Sequence, residues 1–244
     1  MNDTQQPRSA LVFGARNLGR GVIERLRADG WAVAAVARSE STLSTAEAAG
    51  ALAMRGDITD PGSIRECLAR TADAYGGVDL VLNAASAYGG TRSGPFGGGP
   101  LAAAGPTAFD DWAAAPGRAA FTFLSTAARF AVEQRRPATL IQVTGGSARR
   151  AMPGRGLWAA GAFAVRAITQ AAALELREQG IHVALLIVDA GIEPFDGGGR
   201  EGVHPATLAD PREIAQAVVF LAEQGARAAT HELQVTPLAE RWVP

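Results

Sequence analysis

Ala10-Leu11-Val12-Phe13-Gly14-Ala15-Arg16-Asn17-Leu18-Gly19-Arg20-Gly21 is an apolar run that breaks into a glycine-bearing turn and then an amphipathic stretch. Four apolar residues without alternation read as a strand buried on both faces. Glycines in the turn let backbone approach closely, and the helix that follows offers free N–H groups to an anion such as a pyrophosphate. The same unit recurs along the chain. Apolar strand patterns fall at residues 31–37, 51–55, 78–82, 139–143, 181–188 and 232–235, and helical patterns at 18–28, 64–75, 119–133, 157–177 and 214–223. Strands of this kind separated by helices imply a parallel sheet covered on both sides, wound by right-handed crossovers. The expected fold is therefore α/β: a Rossmann-like doubly wound sheet in a three-layer α/β/α sandwich, a single domain over 9–244 after a short tail at 1–8.

Two glycine-rich loops, residues 88–106 and 191–209, follow strands at their carboxyl ends, where open α/β sheets bind ligands. Residues 89–106 and 191–209 are expected to act as active-site loops. The second strand ends at Arg38. In dinucleotide binders this position reads the adenosine ribose: an acid there favours the 2′-hydroxyl of NAD, whereas Arg38 can pair with the 2′-phosphate of NADP. The other reading of Arg38 is a solvated charge at a strand end.

The 244 residues carry 48% hydrophobic content and a formal net charge of −1, so one sizeable core is expected and no general attraction to nucleic acid or anionic membrane. All 23 basic residues are arginine; the chain contains no lysine. GC-rich coding, which also favours Ala and Gly, is one reading of that bias, and functional selection for arginine the other. The single cysteine, Cys67, permits no disulfide within the chain, which suits a reducing, cytoplasmic setting. The polar N-terminus lacks the pattern of a signal peptide, and no continuous apolar run reaches membrane-spanning length. His182 and His204 have no second ligand at metal-binding spacing, so no metal is expected, and no Gly-x-Ser-x-Gly elbow occurs.

Read in order, the motifs resemble the classical short-chain dehydrogenase/reductase family over essentially the whole chain. Asp57 in Gly56-Asp57-Ile58 matches the family's adenine-contacting acid, and Asn83-Ala84-Ala85 the end of its Asn-Asn-Ala-Gly motif. Phe163-Ala164-Val165-Arg166 and Leu174-Glu175-Leu176 match its long helix, and Gly180-Ile181-His182-Val183 its entry to the sixth strand. Asp210-Pro211-Arg212-Glu213-Ile214-Ala215 and Glu232-Leu233-Gln234-Val235 match its last helix and strand. The resemblance implies cofactor contacts at Gly14, Asn17, Leu18, Gly19, Arg38, Asp57, Ile58, Asn83 and Ala84, with NADP as the cofactor. It also implies a homo-oligomer, dimer or tetramer, formed through the alanine-crowded helix at 157–177 and the one before it; alanine-rich composition alone is the competing explanation.

The departures concern chemistry. The family's reductases use a tyrosine that passes a proton to or from the substrate oxygen, and a lysine four residues later that lowers the tyrosine's pKa and holds the nicotinamide ribose. A serine about thirteen residues earlier orients the carbonyl. Alignment on Phe163-Ala164-Val165-Arg166 puts Trp158 at the tyrosine, Ala162 at the lysine and Gly145 at the serine, and the asparagine region around residues 118–120 holds no asparagine. An indole N–H donates a hydrogen bond but does not exchange protons near neutral pH, and alanine has no polar group. The phosphate turn is altered too. With Gly14 as its first glycine the turn is one residue short and Asn17 falls near the middle glycine; with Asn17 and Gly19 as the last two, Phe13 replaces the first.

Polar groups expected around the cleft are Ser86, Tyr88 and Arg92 in the first half, and Thr144, Ser147, Arg149, Arg150, Trp158, Asp189 and Glu193 in the second. Asp189, at the end of an apolar strand, reads as an acid or base, or as a carboxylate satisfied by backbone N–H groups of the next turn. Trp158 reads as a stacking surface for a flat ligand, or as packing. Arg149-Arg150 reads as an anion site, or as an exposed pair. With Asp189, Thr144 and Trp158 as candidate catalytic residues, the leading expectation is a redox-neutral enzyme that cyclises, isomerises or dehydrates a small metabolite, in a natural-product pathway for example. The alternatives are an NADP-dependent oxidoreductase with a non-standard proton donor, and a non-catalytic subunit or ligand-binding protein.

Overall fold

The computed structural model describes residues 7–86, 94–199 and 201–240. Seven parallel strands form one sheet: β1 (Ser9–Phe13), β2 (Ala32–Ala37), β3 (Leu52–Arg55), β4 (Leu80–Asn83), β5 (Ala138–Gly145), β6 (Ile181–Val188) and β9 (Glu232–Val235), in the order β3-β2-β1-β4-β5-β6-β9. Two two-residue strands, β7 (Gly191–Ile192) and β8 (Leu208–Ala209), pair with each other and close the base of the second glycine-rich loop. Every residue of β1 is buried, which is why its sequence shows no alternation. Ala10 to Phe13 pair with Val33 to Val36 on one side and with Leu80 to Asn83 on the other.

Helices α1 (Leu18–Ala28), α2 (Glu40–Ala48) and α7 (Pro211–Ala222) cover one face, where Val12, Leu26, Leu186 and Val218 share a core. On the other face lie α3 (Pro61–Tyr75), α5 (Ala115–Glu133) and α6 (Gly156–Leu176), with Phe13, Ile64, Phe123 and Leu140 between them and the sheet. Helix α2 has no counterpart in the sequence reading, because only Leu43 and Ala46 of it are buried and the apolar period is faint. Helices α3 and α7 begin three residues earlier than periodicity suggests. Asp60 and Asp210 accept from the N–H groups of Gly62 and Arg212, and proline at the next position is already set for a helix.

Helix α5 also starts early. A short helix α4 (Pro106–Phe109) runs through a π-helical turn at Asp110–Ala114 into α5, burying Trp112. Gly161 of α6 permits this: a Cβ there would lie 2.5 Å from the Trp112 carbonyl oxygen. The stretch Gly156–Gln179 has a mean hydropathy of 1.3, enough in length and composition for a membrane span, although its apolar residues are interspersed. Leu157, Val165, Thr169 and Ala173 form its buried face, and α6 packs on β6 and α5, as a core helix of this fold requires.

Candidate functional site

The strand order reverses between β1 and β4, and at their carboxyl ends a cleft of about 2000 Å³ opens. One half of it is built from the turn after β1. Gly14 has φ +86°, and a Cβ on it would lie 2.5 Å from the Ala85 nitrogen; Gly19 sits equally tightly against the Gly14 carbonyl oxygen, at 2.3 Å. Gly14 is thus the first glycine of the turn, and Gly19 the one that lets α1 pack against it. Asn17 falls at or near the middle position in either alignment, and its Oδ1 is buried without a hydrogen-bond partner among the described residues. Asn17 and Leu18 line the cleft at the start of α1, whereas Gly19 lies beneath it.

At the end of β2, Arg38 is 75% exposed, with Nη1 3.8 Å from Asp57 Oδ2. Asp57 Oδ1 accepts from the Thr59 N–H at 2.9 Å and the Thr59 hydroxyl at 2.7 Å. Burial works to raise the Asp57 carboxyl, but these bonds and the Arg38 guanidinium outweigh it and hold the group below the ordinary carboxylate value. Ile58 lines the same end of the cleft. Asn83, expected at the cofactor, spends its amide internally: Nδ2 donates to Gln142 Oε1 at 2.9 Å, and Oδ1 accepts from the Ala85 N–H at 3.0 Å. It fixes the turn that carries Ala84 and Ala85.

The other half lies at the ends of β5 and β6 and along α6. Trp158, Gly145 and Ala162 all line it, and a Cβ on Gly145 would lie 3.7 Å from Trp158 Cζ2. The three positions aligned with the family's tyrosine, serine and lysine therefore share one wall, and together they offer an indole, a glycine and a methyl group. Thr144 also lines the cleft.

Asp189 is 6% exposed. Its carboxylate is not held by backbone N–H groups of the following turn. Arg150 donates to it from Nη1 at 2.5 Å and Nη2 at 3.0 Å, and Gln234 Nε2 lies at 3.3 Å. The Arg149-Arg150 pair is engaged in ion pairs: Arg149, itself exposed, donates to Glu232 Oε1 at 2.8 Å, a carboxylate that also binds Arg166. Two adjacent arginines thus tie the segment after β5 to the ends of β6 and β9. Arg149 and Glu193 do not line the cleft, while Ser86 and Ser147 do; Tyr88 and Arg92 lie outside the described residues.

Sequence reading missed Phe96, Trp112, Arg118 and Arg155. Phe96 packs edge-on against Trp158, with ring centroids 4.8 Å apart, and against Trp112 at 5.0 Å. The signal was present in Gly97-Gly98-Gly99 directly after Phe96, where all three glycines have positive φ. Among the described residues no three His, Cys, Asp or Glu side chains gather where they could hold a metal ion.

The two halves fit a dinucleotide differently. The adenosine end fits: a helix N-terminus, an exposed Arg38 and the Asp57–Ile58 turn converge there. The nicotinamide end does not, since Ala162 offers only a methyl group where a ribose would be held and Trp158 an indole where a proton would be passed.

Comparison with known proteins agrees with this architecture. A family model described as enoyl-(acyl carrier protein) reductase matches residues 13–235. A sorbitol dehydrogenase of Cereibacter sphaeroides is 29% identical over 78% of this chain and 73% of its own. The short-chain dehydrogenase/reductase eriH of Hericium erinaceus is 27% identical over 89% of this chain and 91% of its own. Among solved structures, an alcohol dehydrogenase of the archaeon Thermococcus sibiricus, complexed with 5-hydroxy-NADP, superimposes with a TM-score of 0.76. It is 20% identical and covers 97% of this chain and 99% of its own. With the sheet order, the turn after β1 and a match across nearly all of its length, the chain belongs to the short-chain dehydrogenase/reductase family.

Proposed function

We propose that this chain is an enzyme in which the family's site has turned from hydride transfer to a redox-neutral step, the cyclisation, isomerisation or dehydration of a small metabolite. One observation carries the reading: Trp158, Gly145 and Ala162 form one wall of the cleft at the positions aligned with the acid–base residues, in a chain without lysine. Such a wall binds, orients and excludes water, and positioning alone accelerates intramolecular reactions. Thr144 and the Trp158 ring are the groups assigned to the substrate. Asp189 acts with Arg150 as a fixed ion pair at the end of β6, an electrostatic element that needs no reorganisation during reaction.

A second reading, an NADP-dependent oxidoreductase with another proton donor, is favoured by Arg38 and by the adenosine end of the cleft. Calorimetric titration with NADPH and NADH, mass spectrometry of whatever co-purifies and an assay for ketone reduction separate the two. A retained metabolite and no NADPH consumption support the first. NADPH oxidation coupled to ketone reduction, lost in Arg38→Ala, overturns it. A stable protein partner with neither ligand points to a non-catalytic role.

We also place a homo-oligomer contact on α5 and α6, where Phe121, Phe163 and Leu174 are 58%, 44% and 63% exposed. Light scattering of the parent and of Phe121→Glu/Phe163→Glu checks it; a monomeric parent removes it.

A further inference from the structure

The end of the cleft around Trp158 is specific in shape. Phe96 is 55% exposed, yet its ring is held between those of Trp158 and Trp112 at interplanar angles of 70° and 72°. The turn that carries it docks on the first turn of α6. A Cβ on Gly97 would lie 3.1 Å from the Arg155 Cα, and one on Gly98 would lie 2.7 Å from Leu157 Cδ1. Both glycines have left-handed backbone, φ +80° and +93°, so this seat is closed to other residues without strain. A large apolar ring is therefore fixed over a cleft at the cost of leaving half its surface in water. Beside it Trp158 is only partly buried, and Gly145 and Ala162 add no polar group to the wall.

Two arginines bring positive charge to this cleft. The Arg155 guanidinium lies 5.3 Å from the Phe96 ring centroid and 6.0 Å from that of Trp158. Arg118 lines the same cleft, and neither arginine forms an ion pair with a carboxylate among the described residues. Carboxylates line the cleft as well: Asp57 beside Arg38, Asp110, Glu240, and Asp189, which is taken by Arg150. Aromatic edges and faces select flat, unsaturated rings over saturated ones, and exposed guanidinium groups over such rings select anions.

We propose that the substrate is a flat aromatic or conjugated molecule carrying a carboxylate or comparable anion, its ring against Trp158 and Phe96 and its charge at Arg155 and Arg118. This rests on the redox-neutral reading, in which the substrate and not a nicotinamide fills this end. The test is calorimetric binding to the full chain, without nucleotide, of 2-naphthoate, methyl 2-naphthoate and decalin-2-carboxylate. The acid should bind about tenfold more tightly than either analogue, the scale of one well-made ring or charge contact. Arg155→Gln should erase the preference over the ester, Trp158→Leu the preference over the saturated ring, and Trp158→Phe should keep it; thermal melts establish that each variant is folded. Equal binding of the three probes, or preferences untouched by folded variants, overturns the proposal. Absent preferences with no NADPH consumption sink the substrate class alone. Preserved preferences with ketone-dependent NADPH oxidation sink the redox-neutral reading and leave the class standing.

Discussion

Gly146→Ala tests the ion pair at the centre of the site. The backbone of Gly146 is outside the left-handed region, so alanine brings no conformational strain of its own. Its methyl carbon would stand 1.7 Å from Asp189 Oδ1 and 2.3 Å from Asp189 Cγ, where ordinary contact begins at 3.4 Å. The carboxylate cannot retreat cheaply, because Arg150 grips both of its oxygens and the two side chains are only 22% and 8% exposed. Overpacking a core costs about 1–3 kcal/mol and stripping a buried charge of its partner about 3–5 kcal/mol, so a loss of about 3 kcal/mol is expected. In a chain of this size that lowers Tm by roughly 6–12 °C. Urea denaturation of Gly146→Ala, Asp189→Ala and the double variant measures it. Where Asp189 is already alanine the new methyl enters vacated space, and its cost should fall below about 1 kcal/mol. A Gly146→Ala cost that is the same in both backgrounds, or negligible in the parent, would refute the assignment of Asp189 to this position.

Gly14→Ala should lose at least about 2 kcal/mol, because φ +86° is unfavourable for alanine and the methyl meets the Ala85 backbone nitrogen at 2.5 Å. A variant as stable as the parent would mean that the ends of β1 and β4 are further apart. Asp57, held below its ordinary carboxylate value, stabilises the fold above about pH 4, and that contribution is lost as pH falls through the depressed value. The difference in Tm between parent and Asp57→Asn should shrink as pH drops from 6 to 3; a constant difference contradicts the Thr59 and Arg38 contacts. Burial pushes the Cys67 thiol up to about 11, and the residue is 2% exposed, so native protein should resist a thiol reagent at pH 8 and react once unfolded. Rapid labelling of the folded chain would show that α3 opens locally.

The sequence by itself settled the layers, because a strand buried on both faces must be apolar throughout. β1 and β6 announce themselves that way, and β6 and β9 fall where the residues place them. It also settled what the site lacks, since no folding can supply a lysine that the chain does not contain. Features that depend on neighbours were illegible: α2 is held by two buried side chains, and the π-helical turn by the space Gly161 leaves for a carbonyl. The site divides in the same way. Gly14, Arg38, Asp57 and Trp158 stand near the ends of strands or at the start of a helix, so their place in the cleft follows from the order of elements. Whether Asp189 meets Arg150, and whether Phe96 folds back onto Trp158, depends on contacts between residues 39 and 62 positions apart. A buried carboxylate needs a counter-charge and a ring needs a surface to pack on, and only the packed tertiary structure decides which residues supply them.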